Sequence, residues 1–269
     1  MSDPGAVEAD RIRALELCPV SRETQERLGL LVQELRRWQR VKNLVGPATL
    51  DRVWTRHVAD SLQLLDLAQD AKAWIDLGSG AGFPGLVIAI AASERIPGAV
   101  VHLVESNSRK CAFLRHVARL TGAAAVVHEG RIEDEVALLH LSGMRERGSF
   151  QATNQELSSI EGRNRVGASG SPDRSHAGER TGTLARHPAL KDSGIEVVTA
   201  RALAPLAQLL AWSYPLLTTG AIGLFPKGRD VDAELTEAAK SWTYAADLLP
   251  SRTDSEGRIV RLRSLQERP

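Results

Sequence analysis

From Ser21 the apolar positions fall at helical spacing. Leu28, Leu31, Leu35 and Trp38 lie three, four and three residues apart, on one face of a helix that Ser21 is placed to cap. A second helix is expected over about Leu50 to Leu67, turning Trp54, Val58, Leu62 and Leu65 inward. On it His57 and Asp60 sit three apart and read as a structural hydrogen-bonded pair. Residues 1–20 read as a loosely held arm.

At Ala73 the pattern changes. The run Ala73–Leu77 is apolar except for Asp76, glycines follow at 78, 80, 82 and 85, and Leu86–Ala92 is apolar again. That is a buried strand, a tight turn and a helix starting against the turn. Strand and helix then alternate. Strands are expected at Val100–Val104, Ala124–His128, Ile195–Thr199 and Ala221–Phe225. The helices between and after them are expected at Ser108–Leu120, Pro205–Leu217 and Val231–Trp242. In the first of these, Phe113, Leu114, Val117 and Leu120 should face inward. Two last strands should lie near Tyr244–Leu249 and Arg258–Leu265. Such alternation predicts an α/β fold with a mostly parallel, doubly wound sheet covered on both faces. From about Gly143 to Gly194 the rhythm stops, and the composition turns to Ser, Gly, Arg, Asn and Glu. This reads as a disordered insertion, which the flanking strands tolerate because closure entropy grows slowly with loop length.

Composition narrows the class. The chain is 43% hydrophobic with a net charge of +1, so it can bury a core, and only a local basic patch could bind nucleic acid. Cys18 and Cys111 lie far apart, which argues against a disulfide scaffold or a cysteine-rich metal site. No signal pattern opens the chain and no apolar run approaches the roughly 20 residues of a membrane span, so a cytoplasmic protein without a membrane partner is expected. One basic cluster stands out. Arg36, Arg37, Arg40 and Lys42 close the first helix, either as favourable charges at its C-terminus or as a phosphate-binding patch.

In doubly wound folds ligands sit beyond the carboxyl ends of the strands, where Asp76, Gly78–Gly82, Glu105, Ile132, Glu133 and Arg201 fall. Gly80-x-Gly82-x-x-Gly85 satisfies a dinucleotide fingerprint, with Glu105 placed 20 residues later to accept ribose hydroxyls. Pro84 speaks against a pyrophosphate, since proline has no N–H to offer. An acid before GxGxG, as in Asp76-x-Gly78-x-Gly80-x-Gly82, instead suits a cationic, phosphate-free nucleoside, S-adenosylmethionine. The residues therefore favour a methyltransferase over a dehydrogenase.

The runs KNLVGPATLDRVWTRHVADS, IDLGSGAGFPGLVIAI, VESNSRKCAFLRHV, GRIED and VVTARALAPL, in that order, resemble the small-subunit ribosomal RNA methyltransferase G family over roughly residues 22–134 and 195–265. The resemblance implies a class I S-adenosylmethionine-dependent methyltransferase, with residues 1–68 an N-terminal helical extension and 69–269 the catalytic domain. It implies methyl transfer to guanine N7 in a loop of 16S rRNA, as free RNA or in the small ribosomal subunit, by a monomer. Cofactor contacts are implied at Gly78, Phe83, Ile132 and Glu133, with Arg201 in the same pocket and Glu105 at the acid position.

No residue is needed as acid or base and no metal is required; Arg201 and Lys227 are the positioning candidates. RNA contacts are expected from Arg36, Arg37, Arg40, Lys42, Arg56 and His57. The chain departs from the family pattern at Asn43-Leu44-Val45, at Pro226-Lys227-Gly228 and in the insertion after Glu133. The other readings are a small-molecule methyltransferase of the same fold and a nucleotide-binding module without catalysis.

Overall fold

The run Ala73–Leu77 forms β1, and every one of its residues is buried. It is an interior strand of a seven-stranded sheet in the computed structural model, which describes residues 4–39, 44, 46–146 and 194–268. The other strands are β2 (Val100–Glu105), β3 (Ala125–Glu129), β4 (Val197–Thr199), β5 (Ile222–Lys227), β6 (Trp242–Pro250) and β7 (Arg258–Glu267). Their order is β3-β2-β1-β4-β5-β7-β6. β1 pairs in parallel with β2 (Ala73 opposite Val100) and with β4 (Trp74 opposite Val197). Among the described strands β7 alone runs opposite to the other six. The winding reverses between β1 and β4, which opens a crevice beyond their carboxyl ends.

Alternate residues of β1 feed two cores. Trp74 joins a cluster with Leu28, Leu31, Leu35, Trp54, Val58, Leu62, Leu86 and Phe113. Ile75 and Leu77 join another with Val136, Leu139, Leu206, Leu210 and Val260. The first is covered by α4 (Gly85–Arg95), α5 (Ser108–Thr121) and the N-terminal helices, the second by α6 (Ile132–Glu146), α7 (Leu206–Leu217) and α8 (Val231–Ala238). The described part of residues 4–65 therefore shares one core with the sheet. Among the described residues no helix is long and apolar enough to cross a membrane.

Several elements differ from the sequence pattern. The stretch before Ser21 is not a loose arm over its described part: Pro4–Leu17 is helix α1, with Ala14 and, just beyond it, Cys18 buried. α2 (Arg22–Gln39) starts as expected, the Thr24 N–H donating to Ser21 Oγ at 3.1 Å. The single helix expected over 50–67 is three segments: a 3-10 turn (Pro47–Arg52), a π-helical turn (Trp54–Ala59) and α3 (Asp60–Leu65). Trp54, Val58, Leu62 and Leu65 still face inward. Leu120 is exposed at 45%, because Thr121 lies nearer the centre of the buried face and hydrogen-bonds Val117 O at 2.8 Å. α8 ends at Ala238, and Trp242 opens β6 instead. α6 has no counterpart among the expected helices, and its last residues, Gly143–Glu146, are helical where the insertion was expected to begin. The rest of that segment, 147–193, lies outside the described residues.

Candidate active site

Beyond β1 the chain turns on Gly78, Gly80 and Gly82, with φ of +66°, +56° and +90°. The turn is tied inward by its own N–H groups. Ser79 N donates to Val104 O at 2.9 Å and Gly82 N to Ser79 O at 2.7 Å. Gly80 N donates to Glu105 Oε2 at 2.9 Å, while the other carboxylate oxygen accepts from Asn107 N at 2.9 Å. Lys110 Nζ stands 3.9 Å from Glu105 Oε2. Three N–H groups that would bind a pyrophosphate are thus engaged within the protein, and Pro84 has none to give.

A cavity of about 590 Å³ opens over this turn. Gly78, Gly80, Phe83, Glu105, Ile132, Glu133 and Arg201 all line it, so residues far apart in the chain meet on one wall. Carboxylates and apolar side chains around a turn whose Ser79, Gly80 and Gly82 N–H groups are already bonded fit a cationic nucleoside better than a phosphate ester, so the site suits S-adenosylmethionine. Trp212, which no sequence signal marked, also faces the cavity, and its indole N–H donates to Glu133 Oε1 at 3.1 Å. Asp76 and Gly82, both expected to contact the cofactor, do not line it. Asp76 is fully buried beneath the turn, where Oδ2 accepts from Gly85 N at 3.0 Å and pins the start of α4. A Cβ on Gly82 would lie 2.8 Å from Leu86 Cβ, in the core.

Arg201 joins the π-helical turn to the sheet. It donates to Arg56 O at 2.6 Å and Asp60 Oδ2 at 3.0 Å, and bonds His57 Nδ1. Its guanidinium lies 5.7 Å from the Phe83 ring centre, and His57 stacks on the same ring at 4.8 Å. His57 and Asp60 therefore meet through Arg201. Burial, reinforced by the charges of Arg201 and Arg56, lowers the His57 pKa to about 3, so its ring is neutral. A second cavity of about 660 Å³ lies on the far side of this cluster. Its wall carries Arg56, Arg201, Lys227 and Arg258 among Asp60, Glu234 and Asp254, and it shares His57, Arg201, Ala202 and Leu203 with the first.

The family model for rRNA small subunit methyltransferase G matches residues 24–153. A protein called ribosomal RNA small subunit methyltransferase G from Methylobacterium radiotolerans is 51% identical over 265 residues, 98% of this chain and 97% of its own. The chain belongs to the rRNA small subunit methyltransferase G family. Another member, from a Bradyrhizobium species, is 45% identical over 94% of this chain and 90% of its own. The O-methyltransferase TomG of Streptomyces achromogenes, solved with S-adenosylmethionine, superposes with a TM-score of 0.50 at 12% identity over 98% of this chain and 99% of that one, a likeness of fold. The methyltransferase fold expected from the motifs is therefore the fold observed, and this family member is an S-adenosylmethionine-dependent methyltransferase.

In this family member the basic residues expected to meet RNA divide. Arg36 is half-buried and donates to Leu50 O at 3.0 Å, so it braces the 3-10 turn instead of facing solvent. Arg37 is exposed, 3.5 Å from Glu34. Arg40 and Lys42 lie outside the described residues. Arg56 is exposed and paired with Asp254 at 2.7 Å. Lys227 lines the second cavity, with its ammonium held by Ala204 O at 2.8 Å and Glu234 at 2.6 Å.

Burial raises the Asp76 pKa to about 7, against the opposing pull of the Gly85 N–H. Between pH 4 and 7 the folded protein holds a proton that the unfolded chain has released, so Asp76 makes stability fall as pH rises. His57 acts oppositely: its lowered pKa makes stability rise with pH between about 3 and 6.5. The difference between Asp76→Asn and the wild type isolates the first effect. From pH 5 to pH 8 it should move in favour of Asn by about 3 kcal/mol. Urea unfolding at the two pH values measures this, and a flat difference would show that Asp76 does not carry the shift.

Proposed function

We propose that this chain methylates guanine N7 in 16S ribosomal RNA, in the first cavity's reach of a nucleotide seated in the second. The observation that carries this reading is the pair of cavities meeting on one wall at Arg201 and Leu203. One suits a cationic nucleoside, and the other carries Arg56, Arg201, Lys227 and Arg258 beside three carboxylates, cations that can turn to a nucleotide's phosphates. The cofactor supplies an electrophilic methyl group. Guanine N7 bears an in-plane lone pair and no proton, so the protein need not supply a base. Its contribution is proximity and orientation, which can lower a barrier by about 7–11 kcal/mol. Arg201, held at 15% side-chain exposure by Asp60 and the Arg56 carbonyl, is placed to do this. In the bacterial cell such a substrate is cytoplasmic.

Labelled S-adenosylmethionine presented with small ribosomal subunits, free 16S rRNA or a metabolite pool tests the reading. Label in RNA at guanine N7 supports it; label only in metabolites would point to a small-molecule enzyme, and binding without transfer to a non-catalytic module. α2 ends at Gln39, and Leu44 and Gly46 line the first cavity, so Arg37 and Arg40 precede these wall residues in the sequence. Replacing both with Gln should weaken RNA binding and reduce its salt slope by roughly one unit for each phosphate no longer neutralised, with cofactor affinity unchanged. An unchanged salt slope would leave these residues as helix-end charges only.

A further inference from the structure

The π-helical turn Trp54–Ala59 carries Arg56 and His57, which hold Arg201. Val53 stands at its N-cap position, and a valine side chain cannot accept the N–H groups that open a helix. An acceptor comes from α1 instead. Asp10 Oδ2 accepts from Trp54 N at 2.9 Å and Thr55 N at 3.2 Å, and Oδ1 accepts from Thr55 Oγ1 at 2.5 Å. Thr55 is buried, and the next residue's carbonyl is the one that Arg201 bonds. Beside Asp10, Arg11 lies over the Trp54 ring at 5.5 Å, a second tie between α1 and this turn. A carboxylate at this end also complements the partial positive charge of the turn's first N–H groups.

We infer that Asp10 is a positioning residue for methyl transfer: by fixing the start of the turn it sets Arg56 and His57, and through them the Arg201 guanidinium on the wall both cavities share. The inference rests on the methyltransferase reading of those cavities. It makes α1 part of the reaction apparatus, though α1 lines neither cavity. A turn released at Thr55 shifts Arg56 and His57 first, because they are the next residues in the chain. Small displacements of positioning groups cost rate more than affinity, and a misplacement of about 1 Å can cost a hundredfold.

The test compares the wild type with Asp10→Ala, Asp10→Asn and Ala14→Gly, the last loosening α1 at a buried position that makes none of the Asp10 bonds. Each is assayed well below its melting temperature for cofactor Kd, for kcat and KM of methyl transfer to small subunits, and for the His57 ring 13C–1H NMR signal. Asp10→Ala should lower kcat about tenfold or more, change cofactor Kd by less, and shift the His57 signal. Asp10→Asn, whose amide oxygen still accepts N–H bonds, should restore most of both, and Ala14→Gly should leave both near wild type. An unmoved kcat or His57 signal in Asp10→Ala would overturn the inference, as would an equal loss in Ala14→Gly. A wild type that methylates no RNA would instead sink the function proposed above. The His57 signal would then decide alone, an unmoved peak against the Asp10 link and a shifted one for it.

Discussion

Gly80→Asn is expected to fold with a melting temperature close to wild type and to lose at least about a hundredfold in S-adenosylmethionine affinity, while Gly82→Val is expected to lose about 2–5 kcal/mol of folding stability. The two glycines are neighbours in one turn, but their missing side chains point to different places. A Cβ at Gly80 meets nothing closer than Gly78 O at 3.8 Å, so an added side chain enters the first cavity. Asparagine tolerates the φ of +56° there better than most residues. At Gly82 a Cβ would sit 2.8 Å from Leu86 Cβ and 3.3 Å from Leu114 Cδ2, at a φ of +90°. Overpacking and backbone strain together cost about 2–5 kcal/mol, a large part of a total stability of about 5–15 kcal/mol. Circular dichroism melts and calorimetric titration read both effects. Wild-type cofactor affinity in folded Gly80→Asn would remove the cofactor from this cavity, and a stable Gly82→Val would remove that glycine from the core.

Glu105→Ala should weaken cofactor binding by roughly tenfold to a hundredfold, the range set by losing one hydrogen bond of about 1.5–3 kcal/mol to a charged group. The carboxylate has two tasks in the structure. It lines the cavity where ribose hydroxyls would need an acceptor, and it holds the Gly80 and Asn107 N–H groups at 2.9 Å each. Glu105→Gln keeps one acceptor oxygen and should fall between Ala and the wild type. A loss below about twofold in Glu105→Ala, measured by calorimetry, would count against the ribose role.

Much of this was legible because period and burial coincide. Leu28, Leu31 and Leu35 lie on one face of α2, and all three are fully buried. The apolar run at β1 correctly marked a strand covered on both sides. What the pattern hides depends on contacts between distant residues. α1 has little apolar period, with Ile12 exposed at 53%, and polar bonds from Asp10 help to hold it in place. α6 did carry a signal: Ile132, Val136 and Leu139 are spaced four and three, behind acids in the first turn, but the polar segment after it masked the pattern. At the site, an acid ahead of GxGxG looks alike whether it faces a ligand or, as Asp76 does, reaches under the turn to Gly85 N. Arg36 and Arg37 are adjacent basic residues, yet the helix turns one to a carbonyl and the other to solvent.

The pairing of β1 with β4 has a consequence for how the protein comes into being. Asp76 faces Thr199 across that pair, and β4 offers only three residues to bridge β1 and β5. The wall bearing Arg201 follows directly after it. Contacts this remote are closed late, since the chain between them must be gathered before they repay the lost entropy. During synthesis, β1, the glycine turn, β2 and Glu105 all emerge before the strand that completes their crevice. A nascent chain halted before β4 has most of the first cavity's lining in sequence and lacks the wall that Arg201, Ala202 and Leu203 supply.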